Sequence, residues 1–424
     1  MKEEVPILKD KRIVLGVTGG IAAYKICAVA SHLTQAGAQV DVVMTEAAAK
    51  FVSPLTFQSL TGRPVYTTLW GALDAAMDED AVLPTHVVHV GLAEAADLLV
   101  VAPATAHTMA KLAQGLADNL LTTVALAVRC PLLLVPAMDG EMWVHPATQA
   151  NVSVLRQRGA AFAGPAEGRM ASGLVGKGRM VEPDEIIGHV RRVLGRGGPL
   201  SGRRVVVTAG PTREALDPAR FISNPSSGRQ GFALAQAAVD RGAEVVLITG
   251  PTHLPTPVGV QRIDVRTTEE MKTAVLDACA HTDVLLMAAA PADFRPEKRA
   301  SQKIKKGDLE EASVPLVRTS DILSAVAVRW AESGFPRVVV GFAAESENLL
   351  ENAQAKLSSK NLDLIVANDI TATDAGFEAA TNRVLILDRD GNVDKLPLMS
   401  KQAVAEKIFD RVVDVLSSAA KKSA

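Results

Sequence analysis

The residues able to do chemistry sit in short loops, each placed directly after an apolar run. Arg12-Ile-Val-Leu-Gly-Val-Thr-Gly-Gly20 leads through Ile21-Ala-Ala-Tyr-Lys25 into a helical stretch. Glycine lets a backbone approach an anion closely, and the next helix start offers free N–H groups at a positive dipole end, so Thr18, Gly19 and Gly20 suit a phosphate. The same loop also suits a tight turn that only packs. The next apolar run ends at Thr45 and Glu46, so the pattern is not GxGxxG with an acid closing the second run, as a dinucleotide site has. In Ala102-Pro103-Ala104-Thr105-Ala106, after a third run, Thr105 is a helix N-cap candidate, and the small residues would admit a flat ring edge or a phosphate against backbone groups. His86 and His89 are three apart, but no third ligand follows at metal spacing.

A second set of loops follows farther along. Thr208-Ala-Gly-Pro-Thr-Arg-Glu214 precedes Phe221-Ile-Ser-Asn-Pro-Ser-Ser-Gly-Arg-Gln-Gly231, where Ser226 and Ser227 offer hydroxyl donors near a helix start. Ala288-Ala-Ala-Pro-Ala-Asp293 and Lys303-Ile-Lys-Lys306 bring a carboxylate and several cations after one strand end. That combination can hold Mg²⁺ and a triphosphate, with Asp293 as the metal candidate, although alternating lysines also suit a solvated face. No GxxxxGK[ST] is present, which excludes a P-loop. Gly341-Phe-Ala-Ala-Glu345, Lys356-Leu-Ser-Ser-Lys360 and Ala367-Asn-Asp369 repeat polar groups around strand ends, and Lys356 and Lys360, four apart, share one helical face.

The elements that must position these loops repeat. Both Arg12–Gly20 with Gly37–Thr45 and Arg204–Gly210 with Gly242–Thr249 read as strand, glycine turn, helix, strand. Further strands are predicted at 97–102, 131–135, 283–288, 337–342 and 363–367, and helices near 105–113, 117–127, 147–158, 184–194 and 400–417. The fold class is therefore α/β, with two Rossmann-like doubly wound parallel-sheet domains. Gly195-Arg-Gly-Gly-Pro-Leu-Ser-Gly202 is the joint, giving domains 1–196 and 197–424. The 424 residues are 48% hydrophobic and only 4% aromatic, which suits helix-covered parallel strands better than a sandwich. With 45 Lys plus Arg against 47 Asp plus Glu there is no overall basic footprint for nucleic acid or an anionic membrane. Three scattered cysteines without CxxC, and an N-terminal segment without a signal peptide's apolar stretch, give the expectation of a cytoplasmic protein with no membrane span.

Pro136-Ala-Met-Asp-Gly-Glu-Met-Trp143 and Gly168-Arg-Met-Ala-Ser-Gly-Leu-Val-Gly-Lys-Gly-Arg-Met-Val-Glu182 resemble the two signature segments of the flavin-dependent cysteine decarboxylases. With the loops at Gly16 and Ala102 and with His89-Val-Gly-Leu92, the similarity spans residues 10–190. It implies a flavodoxin-like domain with flavin mononucleotide (FMN) between protomers of a trimer, His89 acting at the active site, and Met142 beside the substrate. The implied reaction oxidises a cysteinyl thiol to a thioaldehyde, releases carbon dioxide, and returns the ene-thiolate to a thiol. Two positions depart from the motif: Asp139 stands for Asn and Ser172 for Cys. An ionised Asp 4 Å from a substrate carboxylate repels it by about 4 kcal/mol at an effective dielectric of 20, whereas a protonated Asp139 becomes a donor. A paired replacement is expected, in which Asp139 takes over carboxylate contact or proton delivery and Ser172 keeps a hydrogen-bonding role.

The second set of loops, taken together, resembles phosphopantothenate–cysteine ligase over about residues 200–415, and the order matches the bifunctional bacterial enzymes of coenzyme A synthesis. This resemblance implies that CTP activates 4′-phosphopantothenate as an acyl-cytidylate, which the amine of cysteine then attacks. Asn224 would act on the acyl-cytidylate, Lys303 would be catalytic, and Asp293 would meet nucleotide and Mg²⁺. Ser320, Asp321, Ile322, Phe342, Lys356 and Lys360 would contact nucleotide. A trimeric first half and a dimeric second half would build a homo-oligomer, up to a dodecamer. The alternatives are an active ligase whose FMN-binding first half is decarboxylase-inactive or regulatory, and an NAD(P) oxidoreductase, which the missing fingerprint argues against.

Overall fold

A computed structural model describes residues 4–70, 85, 87–305, 313–345, 347–369, 379 and 381–423; His86 and Lys306 lie outside them. The chain divides between Gly195 and Arg196 into two compact units.

In the first unit, six parallel strands lie in the order Val65–Tyr66, Gln39–Met44, Arg12–Val17, Leu98–Ala104, Leu132–Pro136, Ala161–Phe162. That is the 3-2-1-4-5-6 order of a doubly wound sheet; without its two-residue edge strand it reads 2-1-3-4-5, the flavodoxin-like order. The strands are continuous apolar runs because both faces are covered: Val14, Leu15, Leu99, Val100, Leu133 and Leu134 have no exposure. Ile26, Val29 and Leu33, on the helix Ala23–Gln35, fall three and four apart and pack on one face. Buried Asp41 near the strand start accepts from Arg12 Nε at 2.6 Å and Arg63 Nε at 2.8 Å, pairing its charge twice. Strand order reverses between Arg12–Val17 and Leu98–Ala104, so the loops at Gly19 and Thr105 flank the crevice where such sheets bind ligands.

The second unit repeats the plan with eight strands, in the order Gln261–Asp264, Glu244–Thr249, Arg204–Ala209, Val284–Met287, Val338–Glu345, Leu364–Asp369, Val384–Asp388, Val393–Lys395. The first six pair in parallel, and the last two pairings are antiparallel. The helix Lys401–Ser423 runs beyond the expected end at 417 and places Val404, Ile408, Phe409 and Val412 in one core with Leu234, Ala235 and Ala238 of Arg229–Asp240. Among the described residues no helix is long and apolar enough to cross a membrane.

Two features differ from the sequence expectation. No strand is predicted between 158 and 184, yet Ala166–Arg169 and Val175–Arg179 form an antiparallel hairpin. Its strands lack apolar alternation, so period-2 reasoning had nothing to detect. The antiparallel pair at the far edge of the second sheet was also missed, although Asp390-Gly391 between Val384–Asp388 and Val393–Lys395 is a hairpin signal.

The helix Arg229–Asp240 crosses the strand Arg204–Ala209 so closely that a Cβ on Gly231 would stand 2.5 Å from the Ala209 Cβ and 2.8 Å from the Thr208 carbonyl oxygen. Backbone cannot yield as a side-chain tip can, so Gly231→Ala is expected to cost about 1–3 kcal/mol as overpacking, read as a lower denaturant midpoint for the second unit.

Candidate functional sites

In the first unit the strand ends open onto a cavity of about 1290 Å³. Gly19 and Gly20 form one wall; a Cβ on Gly19 would stand 2.4 Å from that of Ala47, so only glycine lets this loop lie against the next. Thr45 accepts from Ala48 N at 3.2 Å and Thr105 from Thr108 N at 3.3 Å, each capping a helix that starts at the rim. Asn119 caps a third helix, Leu120–Ala127, and also lines the cavity. Apolar surface comes from Ala22, Ala47, Ala137, Met138, Met142 and Met170. Thr18, Pro103 and Ala104 lie beneath this wall: the buried Thr18 hydroxyl donates to the Pro103 carbonyl at 2.5 Å, tying the two loops together. Lys25 pairs with Glu182 at 2.9 Å, and that hydrogen bond, with Arg179 alongside, holds the Glu182 carboxyl below the usual carboxylate range.

Asp139 and Ser172, thirty-three residues apart, meet on the opposite wall. Asp139 Oδ1 caps the helix Gly140–Val144 by accepting from Glu141 N at 3.3 Å, which leaves Oδ2 facing the hairpin. There the Ser172 hydroxyl donates to it at 2.6 Å. The hairpin is fixed over the helix start by Met138 N donating to the Gly178 carbonyl at 3.0 Å. Met142 lines the same wall, half exposed. His89, half-buried on the helix Val88–Ala95, is not among the residues lining this cavity.

In the second unit the polar loops gather along the carboxyl ends of the parallel strands. Thr212 links three of them: its hydroxyl accepts from Ala292 N at 2.9 Å and its carbonyl accepts from the Ser223 hydroxyl at 2.7 Å. Asn224 Nδ2 donates to the Pro291 carbonyl at 2.9 Å, fixing its side chain beside the loop that carries Asp293. Asp293 is exposed, and its carbonyl accepts from Thr319 N at 3.0 Å. Ser320 donates to Glu269 at 2.5 Å, and hydrogen bonds from Ser320 and Lys272 hold the Glu269 carboxyl below its ordinary range. Asp321 caps the helix Ile322–Ser333 and pairs with Lys360. Burial pushes the Asp321 carboxyl up, but Lys360 and Ser324 outweigh burial and hold it low. Lys356 Nζ donates to the Phe342 carbonyl at 2.9 Å, so both lysines of the shared face turn toward the strand ends. Ser226 accepts from Gly228 N at 3.4 Å at the entry to the helix Arg229–Asp240, next to Ser227.

Lys303 is exposed, and no described hydrogen bond joins it to Asn224 or Asp293. Sequence reasoning passed over the groups that hold its segment, Asp217 and Arg220, and over Glu214, whose buried carboxylate accepts from Thr268 N at 2.8 Å at the start of Thr268–Ala278. Asp217-Pro-Ala-Arg220 carries a turn signal, but the distant partners of Asp217 and Glu214 are visible only after folding. No group of three His, Cys, Asp or Glu among the described residues could hold a metal by protein ligands alone.

Two family models match the chain: "Flavoprotein" over residues 2–195 and "DNA/pantothenate metabolism flavoprotein C-terminal domain" over residues 200–416. The coenzyme A biosynthesis bifunctional protein CoaBC of Bacillus subtilis (strain 168) is 44% identical over 420 residues, 98% of this chain and 100% of that protein. The protein of the same name from Vibrio cholerae serotype O1 is 44% identical over 405 residues, 95% of this chain and 98% of that one. Among solved structures, the C-terminal domain of a coenzyme A biosynthesis bifunctional protein CoaBC is 38% identical, covering 52% of this chain and 99% of that one with a TM-score of 0.44. Similarity to relatives of this kind runs through both units, and the chain belongs to the family of bifunctional coenzyme A biosynthesis proteins, enzymes that join a decarboxylase part to a ligase part.

Proposed function

We propose that the second unit activates 4′-phosphopantothenate with CTP and joins it to cysteine, and that the first unit, holding FMN, decarboxylates the product to 4′-phosphopantetheine. The observation that supports this most strongly is similarity to a two-activity relative along 98% of the chain.

The first cavity fits FMN. Its volume exceeds the roughly 300–1,000 Å³ usual for small-molecule sites, leaving room for flavin and substrate together. Alanine and methionine side chains suit the ring, while Gly19, Gly20 and the helix starts capped by Thr45 and Thr105 suit the phosphate. When bound, the flavin supplies two-electron oxidation of the cysteinyl thiol and its later reversal, which makes the adjacent carboxylate a leaving group. Asp139 meets that carboxylate or returns the proton after carbon dioxide departs, and Ser172 orients it through their hydrogen bond. His89, which is not among the residues lining the cavity of its own chain, completes the site from a neighbouring protomer of a homo-oligomer.

In the ligase unit, Asn224 steadies the acyl phosphate or the tetrahedral oxyanion, and Lys303 offsets charge on the departing pyrophosphate. Asp293 would give Mg²⁺ one carboxylate ligand, and the triphosphate the others, as Mg²⁺ commonly binds in such sites. That arrangement fits the lack of a preformed three-ligand cluster among the described residues. Lys356, Lys360 and the Ser320–Ile322 loop flank the nucleotide with Phe342. Three unpaired cysteines fit a reducing cytoplasm.

Gly19→Ala pushes its loop off Ala47 and is expected to yield protein with at most about a tenth of the wild-type flavin at 450 nm, with circular dichroism unchanged. A coupled assay with CTP, cysteine and 4′-phosphopantothenate, followed by mass, should show both the acylated cysteine and its decarboxylated product. Asp139→Ala should retain flavin and ligation yet release carbon dioxide at least about 100-fold more slowly, the usual weight of a positioned acid or base. Wild-type protein that stops at the acylated cysteine would favour the inactive-flavoprotein alternative.

A further inference from the structure

Asp217 is a fully buried carboxylate that none of the roles above employs. It lies in the turn between the short strands Glu214–Ala215 and Phe221–Ile222. Oδ1 caps that turn, accepting from Ala219 N at 2.7 Å and Arg220 N at 2.8 Å. Oδ2 reaches 87 residues along the chain to accept from Ile304 N at 3.2 Å. Arg220 holds the other side of the same peptide: its Nη2 donates to the Ile304 carbonyl at 2.6 Å. A third tie, from Ala300 N to the Leu216 carbonyl at 3.0 Å, fixes the segment's entry.

Both backbone polar groups of Ile304 are therefore held by one turn, although residues 301–305 form neither helix nor strand. Ile304 stands between Lys303 and Lys305, both exposed, and neither lysine pairs with a described acidic residue. Capping the turn requires Oδ1 alone; the second oxygen and the Arg220 guanidinium act on the lysine segment. Burial pushes the Asp217 carboxyl up, and the three N–H donors outweigh it, so the carboxylate stays charged and committed to backbone rather than to the lysines.

We infer that Asp217, backed by Arg220, is a positioning residue of the ligase reaction, fixing the backbone at Ile304 so that Lys303 and Lys305 present their charges to the nucleotide's phosphates. The inference rests on the ligase reading above. Ordering this segment before nucleotide arrives removes an entropy loss from the binding and activation steps.

Asp217→Asn in the full-length protein is a selective test. The amide oxygen can keep the turn's two N–H bonds, while the amide nitrogen then faces Ile304 N–H as a second donor. Expected are exchange of the Ile304 amide hydrogen at least tenfold faster, and at least a tenfold fall in kcat for pyrophosphate release from CTP with 4′-phosphopantothenate. Circular dichroism and flavin content should be unchanged. In a background with Lys303→Gln and Lys305→Gln together the same substitution should cost less than twofold, because its effect runs through those two lysines. Ile304→Pro, which removes the donor and leaves Asp217's turn untouched, should reproduce the loss. Unchanged Ile304 exchange, an equal loss in both backgrounds, or an Ile304→Pro protein as active as wild type would overturn the inference. Wild-type protein that releases no pyrophosphate from CTP would overturn the ligase reading, whereas the exchange measurement reports on the clamp alone.

Discussion

Burial of two parallel sheets on both faces is the constraint from which the rest follows. Val14, Leu99 and Leu133 in one sheet and Val206, Leu285 and Val340 in the other have no exposure, so a polar group in a strand interior must find a protein partner, as Asp41 does, and is closed to a ligand. Chemistry is confined to the loops at the carboxyl ends, where right-handed crossovers deliver a glycine turn, a helix start or a charged segment. The same plan, used twice, serves two different reactions, because fold sets the edge and loops set the chemistry.

Loops of this kind lack the ladder that aligns strands, and here carboxylates fasten them to backbone, both distant and near in the chain. Glu214 holds the start of Thr268–Ala278, Asp217 holds Ile304, Asp321 caps Ile322–Ser333, and Asp388 gathers the N–H groups of Asp390 at 3.0 Å and Asn392 at 2.9 Å in the far hairpin. A carboxylate that accepts several N–H bonds is stabilised in its charged form and becomes a rigid joint. Asp217 is engaged with backbone in this way, and among the described residues no carboxylate pairs with the exposed Lys303 or Lys305.

How much was legible in the sequence follows the range of each interaction. The buried strands were readable because an apolar run states its own burial, and Thr105 was readable as a cap because its partner, Thr108, is three residues away. The hairpin at 166–179 was not, since its strands expose most of their side chains and carry no alternation. At the sites, Asp139 and Ser172 could be marked as joint departures from a motif, but their 2.6 Å hydrogen bond crosses thirty-three residues and depends on the hairpin folding over the helix start. Thr18 looked like a phosphate ligand from its glycine neighbours, yet its hydroxyl is buried against Pro103, a contact set by the juxtaposition of two strands.

The amino-acid sequence by itself determined the class of each element, the duplication of the α/β plan and the residue types offered at each strand end, because these depend on periodicity and on chemistry carried within a few residues. Tertiary structure alone decided which of those residues meet. It seated Asp139 against Ser172, left His89 out of the cavity lining, and drew Ile304 onto Asp217, because hydrogen-bond partners dozens of residues apart are chosen by packing of the elements between them and by no local preference of the chain.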